Sequence, residues 1–85
     1  MHFRISRHAH DEMERRSTSI RDLEDVLKSP QQIVPEREEL KAYQSIVDLG
    51  GGKKFLLPVI VDDTLEPATV IAAYRTSKIM KYWRA

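Results

Sequence analysis

The stretch KFLLPVIV, residues 54–61, decides the fold. Its apolar residues are contiguous rather than alternating, which is typical of a central strand that is covered on both faces. Pro58 lies in the middle of the run and has no N–H to donate to a β-ladder, so we expect a bulge or a local sheet edge beside it. A membrane span needs about 20 apolar residues, and this run is far shorter.

Further strands are predicted on both sides of this run. In HFRIS, Phe3 and Ile5 alternate with Arg4, as in a short strand. The glycines at 50–52 permit positive φ and predict a turn before residue 54. The complete set of predicted strands covers residues 3–5, 32–35, 40–49, 54–61 and 68–74.

Two helices are predicted between the first two strands. Ser6 can cap a helix over residues 7–16, and Ser19 with Asp22 forms a capping box for a helix over Ile20–Lys28. A last short helix is expected near the C-terminus, with Ile79, Met80 and Trp83 packed on the core. This order predicts one α+β domain over residues 1–85, in which two N-terminal helices pack on a twisted antiparallel sheet of about four strands.

Composition narrows the class of protein. The 85 residues suffice for one domain with a modest core, and the absence of cysteine excludes disulfides and thiolate zinc sites. The polar start MHFRISRHAH lacks the apolar region of a signal peptide, so a soluble, cytoplasmic protein without a membrane partner is expected. Basic residues are concentrated at the two ends of the chain; if the ends meet, they form a phosphate-binding patch, and otherwise they are merely solvated.

The first helix offers candidate catalytic residues. His8, Glu12 and Arg15 are spaced to line one helix face, and Arg16 lies towards the sheet. A histidine can act as general acid or base near neutral pH, and an arginine can neutralise a phosphate. The alternative is that His8 pairs with Glu12 while Arg16 packs its stem over the core. His8 and Glu12 are too few ligands for a metal site, so no metal or cofactor is expected.

The C-terminal stretch YRTSKIMKYWRA, residues 74–85, offers the complementary chemistry. Tyr74 can donate a proton, and Arg75, Lys78 and Lys81 can neutralise phosphate. A metal-free ribonuclease needs such groups, because the RNA 2′-hydroxyl is itself the nucleophile and the protein supplies a base, an acid and cations. The aromatic rings that follow, Tyr82 and Trp83, are interpreted as caps on the core.

HAHDEMERRSTS and VIAAYRTSKIMKYW resemble the opening and closing motifs of a small bacterial family known only as a domain of unknown function, which is similar to BrnT-like and RelE-like toxins. The matching residues are His8, Met13, Arg16, Ser19, Tyr74, Arg75 and Lys78. The resemblance implies a RelE-like fold and a metal-independent endoribonuclease, the toxin of a toxin–antitoxin pair. Its implied partners are RNA, either free or associated with the ribosome, and a cognate antitoxin.

The site predicted from both lines of reasoning has two parts. The catalytic residues are His8, Arg16, Tyr74 and Lys78, and the phosphate-binding residues are Arg75, Lys81 and Arg15. Departures from the family pattern bear on activity: Ser17-Thr18 replaces Gly-Ile, and relatives often carry arginine at the position of Pro58 and threonine near Ala72. A weakened or inactive nuclease, a non-catalytic module that binds RNA or protein, and a homodimer joined through edge strands are the alternatives.

Overall fold

The computed structural model describes residues 2–48 and 50–84. Within these ranges the chain forms five strands and three helices. In chain order they are β1 (Phe3–Ile5), α1 (Arg7–Arg15), α2 (Ile20–Lys28), β2 (Gln32–Pro35), β3 (Leu40–Asp48), β4 (Lys54–Asp62), β5 (Ala68–Ala73) and α3 (Ile79–Tyr82). Most predicted boundaries agree to within one residue, and Leu49 of the predicted strand 40–49 lies outside the described residues.

The strands form one mixed sheet in the order β1-β5-β4-β3-β2. The predicted α+β class is confirmed, but the prediction of an antiparallel sheet of about four strands is wrong. β1 is a fifth strand at one edge, and it pairs with β5 in parallel. Two helices and three strands separate β1 from β5 along the chain, so no hairpin turn fixes their relative direction.

The two faces of the sheet are covered by different parts of the chain. α1 and α2 cover one face, where Met13 and Leu23 pack against alternate β4 side chains such as Leu57 and Val59. The other face carries the intervening positions of β3 and β4, including the paired residues Gln44 and Pro58. The C-terminal segment, residues 78–84, lies on this second face and contacts Gln44 there.

Pro58 lies where the ladder between β4 and β5 ends. The Tyr74 amide donates to the Pro58 carbonyl at 3.3 Å, and Pro58 has no N–H to return. The predicted bulge is displaced from Pro58 by two residues, since the register shifts between Ile60 and Val61. Tyr74 therefore follows the last residue of β5 and lies beside Pro58 on the sheet.

α1 ends in a left-handed residue. Ser17 has φ 53°, and Thr18 N donates to Met13 O at 2.8 Å, which closes a Schellman-type helix end. The Thr18 hydroxyl is buried and has no hydrogen-bond partner among the described residues. Ser17 therefore adopts a backbone conformation that favours glycine, and Thr18 buries a hydroxyl that an apolar side chain would lack.

Candidate functional site

A small groove lies between the C-terminal segment and the second face of the sheet. We call it the tail groove, and its volume is about 130 Å³. It is built by β2 and the turn after it, by the centres of β3 and β4, by the residue after β5, and by the C-terminal segment. Its lining residues are Val34, Glu36, Gln44, Pro58, Tyr74, Lys81, Tyr82 and Arg84.

Tyr74 is the titratable side chain that the groove perturbs. Burial raises its pKa above the ordinary tyrosine value, and the nearby Tyr82, Glu36 and Glu12 raise it further. Its ring meets the Tyr82 ring edge-to-face, with centroids 6.3 Å apart. A phenol with a raised pKa keeps its proton throughout the neutral range, so Tyr74 is present as a hydrogen-bond and proton donor and not as a base, while the raised pKa makes it a weaker acid than ordinary tyrosine.

The charged groups of the groove favour an anionic ligand. Lys81 and Arg84 are exposed cations on the C-terminal segment, and Glu36 is a carboxylate on the opposite wall. The Lys81 ammonium lies 5.4 Å from the centroid of the Tyr82 ring, which places it at the wall of the groove. Two cations beside a protonated phenol can hold a phosphate group, while the single carboxylate can accept a proton.

Two glutamine side chains hold the main chain of the C-terminal segment. Gln44 Nε2 donates to the Tyr82 carbonyl at 3.3 Å and to Gln32 Oε1 at 2.9 Å. Gln32 Oε1 also accepts from Arg84 N at 3.2 Å, and Gln32 Nε2 donates to the Arg84 carbonyl. The segment is thus tied to β2 and β3 through amide groups.

The predicted residues of α1 lie elsewhere. His8 and Arg15 line a shallow, exposed depression together with Asp11 and Glu14. The Arg15 Nε donates to the Asp11 carbonyl at 3.5 Å, and Arg16 is the exposed C-terminal cap of the helix. Two carboxylates outweigh the one arginine in this depression, so its charge is unfavourable for RNA.

Glu12 links α1 to the end of β5. Its carboxylate Oε1 accepts a hydrogen bond from Ala73 N at 3.1 Å, at the strand edge that the short β1 leaves open. The alternative that His8 pairs with Glu12 is not supported among the described residues, where this carboxylate instead accepts from a backbone amide. Glu12 is also one of the charges that raise the pKa of Tyr74.

The remaining predicted cations are dispersed. The Arg75 guanidinium lies over the Phe55 ring, 5.5 Å from its centroid, and is not among the groove-lining residues. Lys78 is the exposed cap of α3, and its backbone N donates to Thr76 Oγ1 at 3.1 Å. Of the seven predicted site residues, the structure brings Tyr74 and Lys81 together in the groove, and it brings His8 and Arg15 together on α1.

The interpretation of the C-terminal side chains as core caps needs correction. Met80 was expected to pack on the core, but it is 84% exposed. α3 is a single turn, so only one side of it meets the sheet. Tyr82 is half-buried, and its ring lines the groove beside Tyr74 rather than closing the core under the helices.

Sequence reasoning missed four residues of this site. Glu36 and Arg84 carry groove charges, and Gln32 and Gln44 hold its wall. Glu36 follows directly after a predicted strand, which is a weak signal for a site at that strand end. The glutamines carry no chemical signature, and only the three-dimensional pairing of β2 with β3 identifies them.

Neither a metal-binding cluster nor a membrane-spanning helix is found among the described residues. No three histidine, aspartate or glutamate side chains within 2–48 and 50–84 are grouped so that they could hold a metal ion. None of the helices described above has the length and apolarity that crossing a bilayer demands.

Comparison with known proteins identifies a family. The family model DUF4258, described as a domain of unknown function, matches residues 5–75. The match includes both helices of the first half, all of β2 to β5, and Tyr74 and Arg75, and it stops before the C-terminal segment. No curated protein and no solved structure matches the chain significantly.

Proposed function

The chain belongs to the DUF4258 family of unknown function, and from this premise we propose that it is a metal-independent endoribonuclease of the toxin–antitoxin type. The observation that carries the proposal is the tail groove, where the Tyr74 phenol, the cations Lys81 and Arg84, and the Glu36 carboxylate line one cavity. These are the kinds of group that RNA cleavage by its own 2′-hydroxyl requires.

The side chains of the groove have different roles in the proposed cleavage. The Glu36 carboxylate takes the proton of the RNA 2′-hydroxyl, whose oxygen then bonds to the adjacent phosphorus. The bond from phosphorus to the 5′-oxygen breaks, and Tyr74 gives its phenolic proton to that oxygen. The products are a 2′,3′-cyclic phosphate and a 5′-hydroxyl, and solvent returns the two protein groups to their starting protonation states. Lys81 and Arg84 stabilise the charge that develops on the phosphorane.

Charge and burial favour the tail groove over the depression on α1. The groove has two cations and one carboxylate, whereas two carboxylates surround His8 and Arg15. A phosphodiester is attracted to the first and repelled by the second. The predicted catalytic roles of His8, Arg16 and Lys78 stay predictions, and the mechanism proposed for the groove does not use them.

The relationship to BrnT-like and RelE-like toxins remains part of the proposal. It rests on the motif resemblance and on the α+β architecture with helices on one sheet face, and fold alone does not determine activity. An antitoxin that covers the groove and an RNA substrate, free or on the ribosome, are the proposed partners.

The experiment combines growth and cleavage. Induction of the protein in bacterial cells is expected to arrest growth, and the purified protein is expected to cleave single-stranded RNA in the presence of EDTA, leaving cyclic phosphate ends. Glu36→Gln removes the proposed base. Glu39→Gln is its matched control, since both residues are exposed carboxylates near the end of β2 and only Glu36 lines the groove. Normal growth together with intact RNA under all conditions would refute the proposal.

A second candidate function is RNA binding without cleavage. Pro58, where the motif resemblance implies an arginine in relatives, lines the groove and carries no charge, so the groove has only the cations Lys81 and Arg84. A groove with fewer cations stabilises a phosphorane less well while still attracting phosphate. Salt-sensitive binding of RNA that stays intact for hours would favour this candidate over the nuclease.

A further inference from the structure

The C-terminal segment has little secondary structure of its own to hold it in place. α3 is four residues long, and Trp83 after it has extended backbone angles. The polar contacts that tie the end of the segment to the sheet come from Gln32 and Gln44, which directly face each other across β2 and β3. These two side chains are the features from which this inference starts.

The two amides bond to each other and also to the segment. Gln44 is 2% exposed with the segment in place, and an amide buried to that degree needs hydrogen-bond partners. Its Nε2 group donates to the carbonyl of Tyr82 and to Gln32, and Gln32 in turn binds both main-chain groups of Arg84. The hydrogen bonds from the two glutamines to the segment all go to main-chain atoms of residues 82 and 84. They therefore fix the position of the segment whatever its side chains are.

We propose that the Gln32–Gln44 pair is a clamp that positions the C-terminal segment as one wall of the tail groove, and that the groove binds RNA only with the segment docked. Lys81, Tyr82 and Arg84 all belong to this wall. Gln32 and Gln44 are therefore positioning residues and do not take part in chemistry. The statement about RNA rests on the proposed function, whereas the statement about docking stands by itself.

The consequence for affinity follows from the docking equilibrium. Gln32→Leu removes two hydrogen bonds between clamp and segment and Gln44→Leu removes one, so both variants shift the equilibrium towards the undocked state, the first further than the second. An RNA that binds only the docked state then shows an apparent Kd that rises as the docked fraction falls. A clamp variant with about a tenth of its molecules docked should bind RNA about tenfold more weakly.

The chain carries its own probe of docking. Trp83 is the single tryptophan, and it is half-buried within the segment. Release of the segment should shift its fluorescence to longer wavelength and increase its quenching by acrylamide. This measurement requires neither RNA nor activity.

The experiment compares three variants of the whole chain. Gln32→Leu and Gln44→Leu remove the two halves of the clamp. Gln31→Leu is the matched control, because the Gln31 side chain also accepts a main-chain hydrogen bond, from Ile46 N at 3.0 Å, but does not touch the segment. Far-UV circular dichroism verifies folding, and fluorescence anisotropy with a labelled 2′-O-methyl RNA, which has no free 2′-hydroxyl to attack, measures binding alone.

We expect a red-shifted, more quenchable Trp83 in both clamp variants, about tenfold weaker RNA binding in Gln32→Leu and a smaller loss in Gln44→Leu, with Gln31→Leu unchanged in both readouts. If Trp83 is unaffected in folded Gln32→Leu and Gln44→Leu, the clamp does not exist. If Trp83 is released but RNA binds as tightly as to the unmodified protein, the segment is not a wall of the site. If the unmodified protein binds no RNA while the variants release Trp83, the proposed function fails and the clamp stands.

Discussion

Replacement of Tyr74 by phenylalanine tests the proposed proton donor directly. The substitution removes one hydroxyl and keeps the ring that meets Tyr82 edge-to-face at 6.3 Å. Loss of a positioned general acid lowers a rate about 100- to 10,000-fold, which corresponds to about 3–5 kcal/mol of transition-state stabilisation. Loss of one neutral hydrogen bond to the substrate costs at most about 1.5 kcal/mol, or roughly tenfold in affinity. A rate loss above 100-fold with a smaller change in Kd therefore separates proton donation from binding.

The assay should isolate the chemical step. Single-turnover cleavage of a fluorophore–quencher RNA, with the protein in saturating excess and EDTA present, gives the rate of bond breaking. Tyr43→Phe is the matched control, since Tyr43 also has a raised pKa but donates its hydroxyl to Asp63 Oδ2 at 3.3 Å, outside the groove. We expect the control to cleave at the rate of the unmodified protein.

A modified substrate sharpens the test further. When sulfur replaces the 5′-oxygen that leaves, the departing thiolate needs no proton, because a thiol is a far stronger acid than an alcohol. Tyr74→Phe should cleave this substrate at the rate of the unmodified protein, although it barely cleaves ordinary RNA. Equal cleavage of ordinary RNA by both proteins, or a defect on the sulfur substrate as large as on ordinary RNA, would refute the assignment of Tyr74 as general acid.

Four further predictions address charge, pH, the helix end and His8. Lys81→Met should reduce the slope of log K against log salt for single-stranded RNA by about 0.7, because one phosphate contact is lost, while Lys53→Met in the glycine turn should leave the slope unchanged. The pKa values of Tyr43 and Tyr74 are raised in the folded state, so stability should be complete below the unfolded tyrosine pKa of about 10 and should fall as the pH rises through the raised values. Equal urea midpoints at pH 9 and pH 11 would contradict this. Ser17→Gly should raise the free energy of unfolding by up to about 1 kcal/mol and Thr18→Val by roughly 1–2 kcal/mol, since the first relieves a left-handed backbone and the second removes an orphaned hydroxyl; urea unfolding measures both. His8→Ala should leave single-turnover cleavage unchanged, because His8 lies in the anionic depression on α1, and a large loss of rate would restore its predicted catalytic role.

The elements of the fold were predictable because their signals are local. The helix Ile20–Lys28 matches its prediction to the residue, since Ser19 caps it and its apolar stripe has the helical period. The parallel placement of β1 was not predictable, because three residues carry too little pattern to choose a partner strand. The tail groove could not be predicted from the sequence either. It depends on Gln32, Gln44 and Pro58 being direct neighbours across β2, β3 and β4, which only the strand register establishes.

The separation of Tyr74 from Arg75 could have been predicted from the sequence. Tyr74 and Arg75 were predicted to act on the same substrate, yet Tyr74 lines the groove while Arg75 stacks on Phe55. The chain continues in extended form past β5, since Thr76 forms a bridge to Leu56. Adjacent residues of an extended segment point to opposite faces of a sheet, so the pair could not share one site. The two-residue alternation of a strand, extended beyond the end of the apolar run, would have placed the two side chains on opposite faces of the sheet.

The small charge of the groove limits the affinity of the protein for RNA. Its two cations neutralise few phosphates, and contacts of that number give weak binding with a salt slope of only about −1.4, so free RNA should bind no more tightly than about micromolar at physiological salt. A nuclease that binds free RNA so weakly cleaves efficiently only when another macromolecule holds the RNA in place. The ribosome is the proposed partner with that property. Cleavage of messenger RNA on translating ribosomes should therefore exceed cleavage of the same RNA free in solution, and equal rates on both substrates would remove the ribosome from the proposal.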